Sequence, residues 1–329
     1  MTADLDLPAP AKLNLFLHVT GRRPDGLHLL ETVFQFIDLH DDIRLSLDDS
    51  GQISRTHHPD GVAEADDLTL RAARALRDAT GCRLGVRIGL HKRIPIGAGL
   101  GGGSSDAATV LLGLNQLWNT GLSRDRLIEL ARPLGADVPV FIYGQNAYAT
   151  GIGDVFQPIT LPERWFVLLM PPVHVGTAGV FGAPELTRDT KPITIQVFTA
   201  LAGRLAGRND LQPVVEARQP AVKTALHLLQ QAADQVSAKA SARQSSDQAD
   251  AATPDITVRM TGSGACVFAA TACRDTATAL LEEIRQADPK NAVIWQTPDS
   301  GHMTISTVFG TLYLVRGLAK HPLGSRQVG

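Results

Sequence analysis

From Lys12 to Val19 apolar and polar positions alternate, with Leu13, Leu15, Leu17 and Val19 on one side and Lys12, Asn14, Phe16 and His18 on the other. A period of two predicts a strand that carries Lys12 and Asn14 on its second face. The strand runs into Gly21–Gly26, where Pro24-Asp25-Gly26 reads as a turn. Extended patterns return over Leu29–Leu39 and Ile43–Leu47, and Asp41-Asp42 between them predicts a hairpin. Residues 48–65 read as polar loop. Leu68, Ala72, Leu76 and Ala79 then recur at helical spacing, which predicts a helix over Asp67–Ala79 with Asp67 as its cap. Cys82–Leu90 reads as a strand.

The next stretch, Ile94–Trp118, carries the strongest chemical signal. Five glycines, Gly97, Gly99, Gly101, Gly102 and Gly103, precede a helical pattern of Ala107, Val110, Leu111, Leu114, Leu117 and Trp118. Ser104 or Ser105 can cap that helix, and Asp106 falls in the first turn, where the helix dipole favours a carboxylate. A glycine loop opening a helix presents free N–H groups and a positive dipole end, which is an anion site and most simply a phosphate site. A plain flexible turn rarely needs so many glycines together. The loop contains G-x-G-x-x-G at Gly97, Gly99 and Gly102, but a dinucleotide fold also needs an acidic residue about 20 positions on, and none stands there. No lysine follows the glycines, so it is not a P-loop.

Further along, a short helix is expected over Ser123–Leu130 and a helix start at Asp137, two residues before Pro139. Tyr148–Thr150 opens a strand that turns at Gly151–Asp154. Trp165–Met170 reads as a buried strand closed by Pro171-Pro172, and the domain boundary is expected near there. The second half predicts helices over Ile195–Ala206, Ala221–Ala233 and Asp275–Ala287, with a further helix start at Asn209–Leu211. Strands are expected at Ile256–Met260 and Val267–Ala270, on either side of a glycine turn at Thr261–Ala265. Ala292–Trp295 reads as a closing strand. Residues 233–255 are low in complexity and lack aromatics, which predicts a disordered insert. In the last 32 residues, 298–329, only Thr307–Val315 reads as a strand, and nothing earlier in the chain calls for it.

Composition narrows the picture. A chain of 329 residues predicts two domains or one large one, and 44% hydrophobic with 19% charged residues is ordinary for a soluble globular protein. A net charge of -2 argues against a nucleic-acid or anionic-membrane surface. The three cysteines are scattered, which points to a reducing cytoplasm and no structural zinc. Met1–Pro10 lacks the apolar core of a signal peptide, and no apolar run is long enough to predict a membrane-spanning helix. His57-His58 has no further ligand at useful spacing, so no metal centre is expected.

Four ordered segments then combine: Pro10–His28 (PAKLNLFLHVTGRRPDGLH), Ile94–Ala108 (IPIGAGLGGGSSDAA), Leu134–Phe141 (LGADVPVF) and Met260–Ala269 (MTGSGACVFA). Together they resemble the GHMP small-molecule kinases, over about residues 8–295 apart from the insert. The opening Pro-Ala-Lys-Leu-Asn-Leu followed by Asp-Gly-x-His is nearer to kinases of a cytidine-diphosphate-linked methylerythritol than to galactokinase, mevalonate kinase or homoserine kinase. The resemblance implies an α+β two-lobed GHMP kinase fold with the active site in the cleft between the lobes. Residues 1–160 would form an N-terminal lobe like domain 2 of ribosomal protein S5. Residues 161–297 would form an α/β C-terminal lobe bearing the insert, with the tail 298–329 unassigned.

The resemblance also implies chemistry. ATP would be the phosphoryl donor and Mg²⁺ the bridging ion, with no protein ligand for the metal legible. The acceptor would be the 2-hydroxyl of the cytidylyl substrate, in isoprenoid synthesis. The partner would be this small molecule, with no nucleic acid and no membrane; nothing indicates an oligomeric state. Pro95, Ile96, Gly97, Ala98, Gly99, Leu100, Gly101, Gly102, Gly103, Ser104 and Ser105 would wrap the ATP phosphates. Asp137 matches the catalytic aspartate, which accepts the hydroxyl proton or orients the hydroxyl for in-line attack. Lys12 matches the second catalytic residue, a cation that stabilises charge developing on that oxygen. Asn14 would bond substrate or orient Lys12. His28 matches the histidine that reads the cytosine edge, and Phe181 the ring that stacks on the base. The turn Thr261–Gly264 would back the phosphate region from the second lobe. Two positions depart from the family pattern. Leu27 replaces a common tyrosine, and Asp67 stands where asparagine is frequent on the adenine side. Leu27 keeps a different acceptor (homoserine, mevalonate or a sugar) as an alternative, and a non-catalytic nucleotide-binding paralogue is the other. The presence of both Lys12 and Asp137 argues against the latter.

Overall fold

The computed structural model describes residues 4–57, 63–200, 205–247, 254–287, 293–296, 303–307 and 309–323. Two long antiparallel strands, β1 (Asp4–Arg22) and β2 (His28–Asp48), organise the N-terminal half. The turn between them is the expected one: Gly26, at φ +89°, donates its N–H to the Arg23 carbonyl. Among the described strands β1 pairs with β2, and its outer edge tolerates Pro8 and Pro10, which cannot donate to a ladder. β2 also pairs with β4 (Gly85–His91) through Asp42–Asp48 and with β5 (Ala147–Thr150) through Thr32–Phe34. Two short strands complete this sheet: β3 (Ile53–Arg55), parallel to β4, and β6 (Val155–Pro158), antiparallel to β5.

The hairpin expected at Asp41-Asp42 is absent; β2 runs straight through. Asp41 is fully buried, and its carboxylate accepts the N–H groups of Arg93 (2.5 Å) and Ile94 (2.8 Å) instead of closing a turn. The alternation of β1 is interrupted as well. The register against β2 shifts between Pro10 and Lys12, between Asn14 and Leu17, and between Val19 and Gly21. Phe16 shares one apolar cluster with Leu13 and Leu15, while Leu17 and Val19 join the core of the second lobe.

Helices α1 (Leu68–Thr80), α2 (Gly102–Leu117), α3 (Arg124–Ala131) and α4 (Val138–Tyr143) cover the sheet around a core that includes Leu45, Leu76, Leu111 and Phe141. Asp67 caps α1 by accepting from the N–H groups of Thr69 and Leu70, and Gly81 closes it in the left-handed conformation. Ser123 caps α3. Neither Ser104 nor Ser105 caps α2; the N-cap is Gly101, at φ +72° and without a side-chain bond.

The second half builds an antiparallel sheet in the order β10-β11-β12-β7-β9-β8. Its strands are β7 (Trp165–Met170), β8 (Thr257–Met260), β9 (Val267–Thr271), β10 (Val293–Gln296), β11 (Met303–Thr307) and β12 (Gly310–Arg316). Helices α5 (Thr177–Phe181), α6 (Thr194–Ala200), α7 (Gln212–Arg218), α8 (Pro220–Asp247) and α9 (Arg274–Ala287) intervene. α8 continues to Asp247, through most of the segment expected to be disordered. Val236 carries its apolar face on into the core, and Lys239 reaches Glu283 on α9. Residues 248–253 of that segment lie outside the described residues. The expected helix Ile195–Ala206 is shorter, because Leu205 and Ala206 are not helical. No helix among the described residues is long and apolar enough to cross a membrane.

The C-terminal residues are integral to the fold. β12 pairs with both β11 and β7, so Val293–Gln296 is not the closing strand. Beyond β12 the chain crosses back to the first sheet. Leu318 donates to the Phe36 carbonyl (2.7 Å), Asn146 Nδ2 donates to the Leu318 carbonyl (2.7 Å), and His321 N donates to the Gly144 carbonyl (3.1 Å). The His321 ring is fully buried edge-on against Phe36 and Phe141, at centroid distances of 5.4 and 6.3 Å. Its Nδ1 accepts from the Leu323 N–H at 3.0 Å. A third apolar cluster, including Leu13, Leu15, Phe166 and Phe268, fills the space between the two sheets.

Burial, and then the nearby Arg124 charge, push the His321 pKa down to about 3. The unfolded chain takes up a proton below about pH 6.5, and the folded chain does not until far lower. His321 therefore lowers stability as pH falls from about 6.5 towards 3, and by about 2 kcal/mol between about pH 7.5 and pH 5. His321→Leu is expected to lose less stability than the parent over that interval in urea unfolding. An identical drop in both proteins would contradict the assignment.

Candidate active site

Lys12 and Asp137 meet at the floor of a cleft between the lobes, their Nζ and Oδ2 atoms 3.2 Å apart. Lys12 is 3% exposed and the Asp137 side chain 35%, so the carboxylate faces the opening while the ammonium supports it from below. Lys12 Nζ also donates to Asn14 Oδ1 at 2.6 Å and lies 5.5 Å from the Phe34 ring centroid. Asn14 is held in turn: its Nδ2 donates to Thr32 Oγ1 (2.9 Å), and its N–H donates to Thr261 Oγ1 (2.8 Å). Asn14 is thus hydrogen-bonded to Lys12, to Thr32 of β2 and to Thr261 just after β8. Asp137 is the N-cap residue of α4, yet its side chain makes no capping bond. That leaves the carboxylate free for Lys12 and for a ligand. The cleft, about 350 Å³, is also lined by Gly97, Gly99, Ser104, His174 and Ser263.

The glycine loop is shaped by close approach. Gly97, Gly99 and Gly101 have φ between +72° and +77°. A Cβ on Gly99 would lie 2.7 Å from the Thr261 carbonyl oxygen and 3.0 Å from that of Gly264; one on Gly101 would touch Phe141 and Lys12 Cε. The backbone is stitched on both sides. Lys12 N–H donates to the Leu100 carbonyl (3.0 Å), and Cys266 N–H donates to that of Ala98 (3.2 Å). The first amides of α2 have no intrahelical acceptor and so suit phosphate oxygens. Ser104 opens onto the cleft, Ser105 is fully buried, and Ile96 is exposed.

At the other end the cleft continues into a cavity of about 420 Å³ lined by Arg22, Leu27, His28, Leu30 and Phe181. The rings of His28 and Phe181 lie 5.2 Å apart at 36°. Leu27 is 48% exposed, with its side chain on the same cavity. Burial, then the charges of Arg188 and Arg22, lower the His28 pKa.

Sequence reasoning missed several parts. Lys92 pairs with Asp41 (2.5 Å) and Asp106 (2.9 Å), which ties the start of the glycine loop to β2 and α2. Burial raises the pKa of Asp106 against the opposing charge of Lys92. Asp106, expected in the first turn, is the fifth residue of α2, because the helix starts at Gly102 rather than at the serines, and its carboxylate answers Lys92 instead of the helix dipole. His174 packs over Gly97, so close that a Cβ there would sit 2.4 Å from Nδ1, and no motif marks it. Arg188 holds His28 and was not singled out. Asp67 is committed to structure: besides capping α1 it accepts Thr69 Oγ1 (2.6 Å) and Arg55 Nη1 (2.7 Å).

Two lobes around a glycine loop, with a lysine–aspartate pair at the cleft floor, are the architecture of a GHMP-type small-molecule kinase. In agreement, residues 67–145 match the profile of the GHMP kinase N-terminal domain. The chain is 47% identical over 318 residues, 97% of each chain, to a 4-diphosphocytidyl-2-C-methyl-D-erythritol kinase of Bordetella parapertussis. It is 48% identical over 316 residues, 96% of each chain, to that of Thiobacillus denitrificans. A crystal structure of a 4-(cytidine 5'-diphospho)-2C-methyl-D-erythritol kinase superposes with a TM-score of 0.68 at 32% identity, covering 94% of this chain and 99% of that one. The chain belongs to the 4-diphosphocytidyl-2-C-methyl-D-erythritol kinase family.

Because the Gly99 clash is with backbone, Gly99→Ala is expected to part the loop from the second glycine turn and weaken nucleotide binding about tenfold or more. Calorimetric titration with a non-hydrolysable ATP analogue measures this. Unchanged affinity would refute the role given to the close approach. At Gly103 a Cβ would lie 3.6 Å from Leu68 Cδ1, an ordinary contact. Thermal stability is therefore expected to survive Gly103→Ala.

Proposed function

We propose that this chain transfers the γ-phosphoryl group of ATP to the 2-hydroxyl of 4-diphosphocytidyl-2-C-methyl-D-erythritol, a step of isoprenoid synthesis. The observation that carries the reading is the Lys12–Asp137 pair, 3.2 Å apart at the floor of a cleft with a glycine loop on one side and the His28–Phe181 cavity on the other. Asp137 accepts the proton of the acceptor hydroxyl or aligns the hydroxyl for attack. Lys12, held by Asn14, stabilises negative charge on that oxygen. Residues Pro95–Ser105 wrap the ATP phosphates, with the free N–H groups of Gly102, Gly103 and Ser104 as donors and the Ser104 hydroxyl beside them. Ser105 shapes the cradle without donating to it, since its side chain is buried and its N–H is bonded to the Gly101 carbonyl at 2.8 Å.

ATP suits the cradle, whose shape depends on the absence of side chains at Gly97, Gly99 and Gly101. Mg²⁺ would neutralise phosphate charge. Asp137 and Ser104 are oxygen-bearing side chains that line the cleft and could face such an ion. His28 and Phe181 read and stack the cytosine. Leu27 supplies apolar contact where a tyrosine would add a second stacking face, and a stacked aromatic is worth about 1–3 kcal/mol per base. We take the first lobe as residues 1–160 and the second as running on through β12, which lies inside its sheet, with the residues after β12 returning to the first lobe. Three free cysteines fit a reducing compartment, and we place the activity in the cytoplasm.

A panel of acceptors with Mg-ATP, followed by ADP release, tests the reading: the cytidylyl methylerythritol is expected to turn over, and homoserine, mevalonate and galactose are not. Turnover of one of those three alone would overturn it. Asp137→Asn is expected to lower kcat about a hundredfold or more while ATP affinity stays within about twofold; a near-normal kcat refutes the aspartate's role. Leu27→Tyr is expected to lower KM for the cytidylyl substrate about fivefold or more, given the worth of stacking. An unchanged KM would mean that the base is held without that face.

A further inference from the structure

Arg188 follows α5 and reaches back across the end of the base cavity. Its Nε donates to His28 Nε2 at 3.2 Å. Its remaining nitrogens are tied to backbone carbonyls, Nη1 to Leu186 (2.9 Å) and Nη2 to Ala183 (2.5 Å) and Phe181 (3.3 Å). A guanidinium has donors only and does not give up its proton in a protein. His28 Nε2 must therefore present its lone pair to Arg188, and the ring hydrogen sits on Nδ1. Among the described residues Nδ1 has no protein partner, and the His28 side chain lines the cavity beside Phe181.

We infer that Arg188 is a positioning residue that locks His28 in its Nδ1–H form, so that the base cavity offers a hydrogen-bond donor to an acceptor atom of a pyrimidine. The kinetic side of this rests on the cytidylyl reading above. The charged groups acting on His28 are both cations, Arg22 from the end of β1 and Arg188 itself. The nearby carboxylates Asp25 and Glu185 are paired with Arg23 and Arg218 at 2.7 Å each. Among the described residues no carboxylate figures among the groups that shift His28. The same arginine holds the Phe181 carbonyl, so one side chain fixes both the ring that donates and the ring that stacks.

Without Arg188 a neutral His28 is free to carry its hydrogen on Nε2, turning Nδ1 into an acceptor that mismatches the base. Protonation would restore the Nδ1 donor. The inference therefore makes an unusual demand on pH. Arg188→Leu should raise KM for the cytidylyl substrate about tenfold near pH 8, with kcat within about twofold. That deficit should shrink as pH falls through about 6.5, the ordinary histidine pKa, and Arg188→Lys should recover part of it. A role confined to bracing the α5 carbonyls would give a deficit that does not shrink in acid, and that result overturns the inference. The ring form of His28 is read independently by ¹⁵N NMR of the full-length wild-type protein without substrate. The Nδ1–H form near pH 7 is expected, and an Nε2–H form or a protonated ring overturns the proposal even if Arg188→Leu fails to fold. Absence of turnover with the cytidylyl substrate would instead overturn the proposed function, leaving the NMR result to decide the role of Arg188.

Discussion

An ammonium group buried between two sheets is costly unless it is paired and hydrogen-bonded. Lys12 meets that demand with Asn14 on one side and Asp137 on the other. Most of the site follows from it. Register shifts along β1 flank Lys12 and Asn14, which line the cleft, while Phe16 joins the inter-sheet core. The N-terminus of α4 leaves the Asp137 carboxylate uncapped, so the charge that Lys12 needs is also the charge a reacting hydroxyl can use. In the function proposed above, a structural requirement and a catalytic one coincide on the same 3.2 Å contact.

The backbone of β1 extends this economy to both lobes. Lys12 N–H holds the glycine loop at Leu100, and two residues on Asn14 N–H holds Thr261 of the second glycine turn. Asn209 Nδ2 donates to the Met260 and Gly262 carbonyls, and the Asn209 residue bridges to Leu17, closing the circuit between β1 and the second lobe. On the far side the C-terminal segment returns from β12 to β2 and lays His321 against Phe141 of α4, the ring that also limits space at Gly101. Phosphate loop, lysine and aspartate are thus positioned by strands and helices that brace one another, which is what positional accuracy in phosphoryl transfer requires.

Much of this was legible in the residues. The glycine loop, the helix behind it, the Asp67 cap and the choice of Lys12 and Asp137 all rest on local chemistry or ordered motifs. What escaped depended on distant partners. Asp41-Asp42 looks like a turn, and only the N–H groups of Arg93 and Ile94 make Asp41 a strand residue. The polar composition of 233–255 argues for disorder, but a helix already docked through Val222 and Leu229 can carry a polar extension, and Val236 still finds the core. The tail strand had no visible partner because β7 lies far earlier in the sequence. Arg188 could be found only in space, since nothing in the spacing of residues 28 and 188 relates them.

The central claim is that the cleft floor delivers a phosphoryl group to a tertiary alcohol on a cytidylyl substrate. The most direct measurement is ³¹P NMR of a reaction containing the chain, Mg-ATP and 4-diphosphocytidyl-2-C-methyl-D-erythritol. The account predicts ADP together with one new phosphomonoester resonance in equal amount, on a product that keeps its cytidine diphosphate signals and carries the new phosphate at the 2-position. ADP accompanied by free inorganic phosphate, or a phosphate on a different hydroxyl, would contradict it.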